Sequence, residues 1–148
     1  MHKHTQIRDR IVEMLDDFSN PGIDIFKSRS LEIPKENFPA ISVYGFEEKA
    51  KKSADEGNYT RLPMISIVCF DKGKDALEPL PTGEKSIDDK LDNLREYVER
   101  IFLKQYGTLN GLVYRFNYVS SKTHIDTKTE ELVGILNMTW EVIYHQNI

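Results

Sequence analysis

Four histidines, a single cysteine and a crowd of aspartates are the residues of this 148-residue chain that could do chemistry. His2 and His4 stand one residue apart and could grip a metal together with a carboxylate. So loose a spacing is common by chance. Beside Met1 it reads as exposed polar residues on a fraying end. Cys69 as a nucleophile would need an activating base, and its neighbours Val68 and Phe70 predict a buried thiol that behaves as a small hydrophobe. Asp88, Asp89 and Asp92 suggest a cation site. The dipole of a helix starting there explains the first two, and Asp92 can face solvent. Tyr114, Phe116 and Tyr118 could stack nucleic-acid bases. Only Arg115 is basic beside them, and a core role fits better. There is no phosphate loop, no dinucleotide fingerprint, no H-E-x-x-H and no G-x-S-x-G. The expectation is a non-catalytic protein without metal or cofactor. A histidine–carboxylate enzyme built on His4, His124 or His145 is the competing reading of a different class.

The elements that would position these residues follow from periodicity. Ile7, Ile11, Met14, Leu15 and Phe18 recur at helical spacing, with Thr5 as a possible cap and Ser19–Gly22 as the stop. A short strand is predicted over 23–26, a polar turn at Lys35–Asn37 and a strand over 38–44 that begins with Pro39. Residues 47–57 are almost all charged or small and read as a mobile loop or an extended hairpin end. Residues 59–70 read as a strand with two apolar faces. Leu62, Met64, Val68 and Phe70 lie on one and Ile65, Ile67 and Cys69 on the other, as in a central strand covered on both sides. A linker rich in Gly, Pro and charge is predicted over 71–85.

The second helix is the clearest element. Ser86 is a good N-cap, and Ile87, Leu91, Leu94, Val98 and Ile101 follow at alternating steps of four and three, with Gly107 as terminator. A strand over 113–121 and a polar connection over 122–129 lead to a last alternating run, Leu132 to Tyr144. That run exceeds the usual strand of about 5–6 residues, which predicts a projecting strand or a bulge near Gly134. Its second face starts apolar with Val133 and Ile135, a surface suited to self-association. The sum is one α+β domain over 1–148: a mostly antiparallel, mixed sheet of four to five strands with two main helices packed on one face.

Composition narrows the function. Lys plus Arg is 20 and Asp plus Glu is 24, so the net charge is −4, which disfavours tight nucleic-acid binding. One cysteine permits no intramolecular disulfide and no Cys-rich zinc site. No secretory leader is visible at 1–6 and no apolar run is long enough to span a bilayer, so a reducing cytoplasm is expected.

Several stretches resemble the tail terminator proteins of long-tailed phages, the minor tail protein U family of lambda type. They are Lys3-His4-Thr5 with Ile7-Arg8, then Glu36-Asn37-Phe38-Pro39-Ala40-Ile41-Ser42-Val43-Tyr44, and the closing Trp140-Glu141-Val142-Ile143-Tyr144. The order of elements resembles the family along nearly the whole chain, although the segments 71–85 and 122–129 are spaced differently. The resemblance implies a ring, hexameric in the family, that caps the phage or prophage tail tube, stops its polymerisation and offers the surface to which the head joins. The partners implied are further copies of the chain, the tail tube protein and the head–tail connector proteins. DNA would only pass through the lumen, which a net acidic ring suits. The place implied is the virion tail, and the host cytoplasm during assembly. A head–tail connector or neck protein is the alternative role. On this reading Val133, Ile135, Trp140 and Ile143, with the sheet face of Ile65 and Ile67, are expected at contacts between copies. Glu47, Glu48, Lys49, Lys51, Lys52, Lys122, His124, Asp126 and Lys128 are expected in loops that touch tube or head.

Overall fold

The computed structural model describes residues 3–17, 22–27, 33–52, 58–73, 86–103, 108–126 and 131–147, with side chains described except at 17, 46–52, 58–63 and 145–147. The elements are α1 (Lys3–Asp17), β1 (Asp24–Phe26), a 3-10 turn (Lys35–Asn37), β2 (Ala40–Lys52), β3 (Asn58–Gly73), α2 (Ile87–Phe102), β4 (Arg115–Asp126) and β5 (Leu132–Asn147). The strands form one mixed five-stranded sheet in the order β1-β2-β3-β5-β4. Only β1 and β2 are parallel, and every other pair is antiparallel. This is the α+β architecture expected, with both helices on one face.

The register sorts side chains between the two faces, because residues opposite one another in a ladder point the same way. Ile41 pairs with Cys69, Val43 with Ile67, and these continue to Leu136 and Met138. All are buried, together with Ile65 and Trp140, beneath Ile7, Ile11 and Leu15 of α1 and Leu91, Leu94, Val98 and Phe102 of α2. Ile65 and Ile67 therefore face the helices. The other face of β3 carries Met64, Ser66, Val68 and Phe70, which reverses the expectation that Ile65 and Ile67 meet another copy. Val68 and Phe70 join Ala40 in a second, smaller cluster, covered by Phe26, Ile33, Phe38, Tyr44 and Ile135.

α2 forms as its sequence dictates. The Ser86 hydroxyl accepts from the Asp89 backbone N–H at 3.2 Å, the N-cap bond that satisfies one orphan donor. Arg100 donates to Glu96 one turn earlier at 2.7 Å. The helix ends at Phe102, and a left-handed run follows at Leu109, Asn110 and Gly111. Gly107 and Phe18 lie outside the described residues. α1 starts at Lys3, so Thr5 sits inside the helix and is not its cap.

Three strands run farther than their apolar pattern. β2 continues through the charged residues to Lys52, which pairs with Tyr59, and Tyr59 pairs in turn with Gln146. Backbone pairing links the three strands of this arm. β3 runs on to Gly73 and β4 to Asp126, where the sequence suggested connections. Two bulges are present, between Gly45 and Glu47 in β2 and between Tyr118 and Ser120 in β4. Gly134 is not a bulge. It pairs regularly with Asp71 and Ile125, and its missing side chain lets α2 approach. A Cβ there would lie 2.7 Å from Leu91 Cδ1 and 2.8 Å from Ile87 Cγ1.

Candidate functional site

The residues with chemical potential are not brought together. Cys69 is fully enclosed, and burial pushes its thiol up to about 12, against a weaker opposing pull from Arg95. A thiol held protonated is a poor nucleophile. His4 packs edge-on against Tyr144, with ring centroids 6.2 Å apart. His124 is exposed and pairs with Ile135 on the sheet face away from the helices. The side chains of His2 and His145 lie outside the described residues. Asp88, Asp89 and Asp92 are exposed along α2. Among the described residues no group of three or more His, Cys, Asp or Glu could hold a metal ion. No helix among them is long and apolar enough to cross a membrane.

One cleft, of about 550 Å³, opens between α2 and the entry to β2, lined among others by Ile23, Phe38, Pro39, Asp71, Lys90 and Tyr97. Asp71 is its distinctive group. Desolvation raises its carboxyl pKa above the ordinary carboxylate range, although the Lys72 backbone N–H donates to Oδ1 at 2.8 Å and the Lys90 and Lys72 charges pull the other way. Among the described residues no histidine lines this cleft. Tyr144, the contact of His4, lies ten residues along β5 from Gly134, the partner of Asp71, a span of roughly 33 Å at strand rise. His4 and Asp71 therefore lie at opposite ends of β5.

A pH dependence follows. A carboxyl whose pKa is raised on folding binds its proton more readily folded than unfolded, so stability falls as pH rises through that window. Asp71→Asn keeps an acceptor for the Lys72 N–H and removes the charge. It is expected to melt higher than wild type at pH 7, with the advantage fading as pH falls through the ordinary carboxylate range. Melting curves across that range check it.

The feature best suited to function is the sheet face turned away from the helices. Along β5 it presents Val133, Ile135, Asn137, Thr139, Glu141 and Ile143, all half-buried. Beside them β4 presents Arg115, Lys122, His124 and Asp126. Asn137 Oδ1 is buried in the middle of this face without a hydrogen-bond partner, an acceptor of the kind that usually finds one. Three of the four residues expected at contacts between copies, Val133, Ile135 and Ile143, share this face. Trp140 does not. Its side chain is fully buried on the helix side, stacked on Phe116 at 4.7 Å and met edge-on by Phe102 and Tyr118, so it belongs to the core of one protomer.

The expected contact loops also change character. Glu47, Glu48, Lys49, Lys51 and Lys52 are strand residues of the β2–β3–β5 arm, paired with 59–64. Lys122, His124 and Asp126 belong to β4 and pair with Asn137, Ile135 and Val133. Lys128 lies outside the described residues. The core role expected for Tyr114, Phe116 and Tyr118 holds for buried Phe116 and half-buried Tyr118 but not for Tyr114, which precedes β4 and is exposed, and the sequence reading does not single out the exposed Leu103 and Val119. A signal was present for Val119, an apolar residue that breaks into the polar run after Tyr118.

Among the described residues the fold is an α+β domain with α1 and α2 packed on one sheet face and the smaller Ala40–Val68–Phe70 cluster on the other. No protein-family profile and no curated protein matches the chain.

Proposed function

We propose that the chain is a structural protein of the tail-terminator kind, which assembles with further copies of itself into a ring capping a phage or prophage tail tube. The observation that supports this reading is the apolar sheet face bearing Val133, Ile135 and Ile143, half-buried and, among the described residues, turned away from α1 and α2. A ring subunit needs lateral and axial contacts, and a two-layer domain with one sheet face turned away from its helices and a projecting strand arm supplies surfaces for both. The arm formed by 46–52, 58–63 and 145–147 continues beyond that face and suits an axial contact with tube or head. The sequence resemblance to the minor tail protein U family gives the reading its specific role. Tail tube protein and head–tail connector proteins are the further partners, and DNA passes through the lumen unbound. The net charge of −4 is compatible with that passage.

The test mixes the purified chain with the tail tube protein of the same phage and images the products by negative-stain electron microscopy. Rings on one tube end, with elongation halted, are the expected result. Tubes that stay uncapped and keep growing overturn it and favour the head–tail connector role, for which the same imaging is run on portal complexes.

A further inference from the structure

The two free edges of the sheet differ in kind. β4 pairs with β5 on one side, and on its other side the outward-pointing backbone groups of alternate residues meet no further strand among the described residues, a template for another chain. The exposed large apolar side chains of the described residues, Leu103 (53%), Tyr114 (64%) and Val119 (47%), all lie on or beside it. Tyr114 starts the strand by donating its N–H to the Ile143 carbonyl at 2.9 Å. Val119 is the extra residue of the bulge between Tyr118 and Ser120. Leu103 follows Phe102, whose ring meets Phe116 of β4 at 5.2 Å. The strand's own charges are Arg115 and Lys122 against Asp126. The row is continuous with the face turned away from the helices, since Arg115 pairs with Ile143 and Asp126 with Val133.

The opposite edge is β1, backed by α1. It exposes Glu13, Asp16, Asp24 and Glu36. α1 has no basic residue in its last turn, and Lys27 is already paired with Asp9 at 2.9 Å. One edge is therefore apolar and basic, the other acidic.

We propose that the β4 edge of one copy docks against the α1/β1 edge of a second copy, joining the chains head to tail. This deepens the ring reading above and rests on it. A join between unlike edges repeats from copy to copy and closes into a ring when its rotation permits, whereas a join between like edges stops at two. β1 spans only three residues, too few for a long ladder. Side chains must then carry the contact, with Tyr114 and Val119 as apolar anchors and the opposed charges setting orientation.

A charge exchange tests the join. Copies carrying Arg115→Glu and Lys122→Glu have two acidic edges, and copies carrying Glu13→Lys, Asp16→Lys and Asp24→Lys have two basic ones. Each alone is expected to remain a folded monomer by circular dichroism and light scattering, with its association midpoint raised at least about tenfold in concentration. Mixed in equal amounts, they are expected to recover assemblies in which the two kinds alternate. If both variants assemble as wild type does, or the mixture stays monomeric, the edge assignment falls while the ring reading stands. If the wild type forms no ring in solution or on tubes, the ring reading itself fails, and the join with it.

A second measurement covers the case in which a charge variant misfolds. Val119→Cys copies mixed with Asp24→Cys copies are treated with a short bismaleimide, and the buried Cys69 stays in place as an inert thiol. A crosslinked pair that needs both variants supports the join. Rings without that crosslink overturn it.

Discussion

Trp140→Ala is expected to lower stability by about 3–5 kcal/mol, the cost of removing a fully buried large aromatic. The indole is completely enclosed, stacked on Phe116 within 4° of parallel, with Phe102 and Tyr118 against it at 5.8 and 5.5 Å. Nothing adjacent is small enough to collapse into the vacated space without giving up its own contacts. For a domain of this size the loss corresponds to a fall of roughly 6–20 °C in melting temperature. Trp140→Phe separates packing from polarity. The indole Nε1 is buried with no hydrogen-bond partner, so phenylalanine loses volume but also removes an unmet donor. It is expected to cost clearly less than alanine. Melting combined with light scattering checks both, and any association lost in the alanine variant should track its unfolded fraction.

Gly134→Val is expected to cost about 1–3 kcal/mol, by overpacking and not by cavity formation. The added Cβ alone would sit 2.7 Å from Leu91 and within 3.0 Å of Ile87, both on the buried stripe of α2. Relief requires the Leu91 and Ile87 side chains, both packed in the core, to repack or the first turn of α2 to lift from β5. Lys90, which donates to the Lys72 carbonyl at 2.9 Å, opposes that movement. Gly45→Ala is the control. Its Cβ would meet nothing within 4 Å and its backbone needs no positive φ, so stability should change by less than about 0.5 kcal/mol. Urea denaturation of the two variants side by side checks the contrast.

Where sequence reasoning succeeded, side-chain burial was the cause of structure. α2 was legible because a cap, a charge pair and an apolar stripe all report one helix packed on one face. The two apolar faces of β3 and the alternation of β5 were legible for the same reason. Where it failed, something other than burial decided. Residues 47–52 and 122–126 are polar and read as connections, yet they are strands because their backbones pair with β3 and β5. Alternation also reports only which residues share a face. It cannot say which face the helices take, so Ile65 and Ile67 were set on the wrong side. The register settles it, by pairing Ile65 with Trp140 and Ile67 with Met138. Of the candidate surface, Val133, Ile135 and Ile143 were visible as an apolar second face. The edge was marked only by Val119, an apolar residue in a polar run, because the bulge that turns it outward depends on the pairing of two strands.

The strand order has a consequence for how the chain comes to be folded. β3 sits at the centre of the sheet, between β2, which precedes it closely, and β5, which begins 59 residues after β3 ends. During synthesis α1, β1, β2 and β3 emerge first, and for that period β3 presents an open, apolar edge. Contacts between such distant segments form slowly, and an unpaired central strand is a site for mispairing between nascent chains. The hairpin of β4 and β5 must arrive before Trp140 can fill the core. Shortening the interval between β3 and β5 should therefore speed refolding and reduce aggregation, even where the final stability is unchanged.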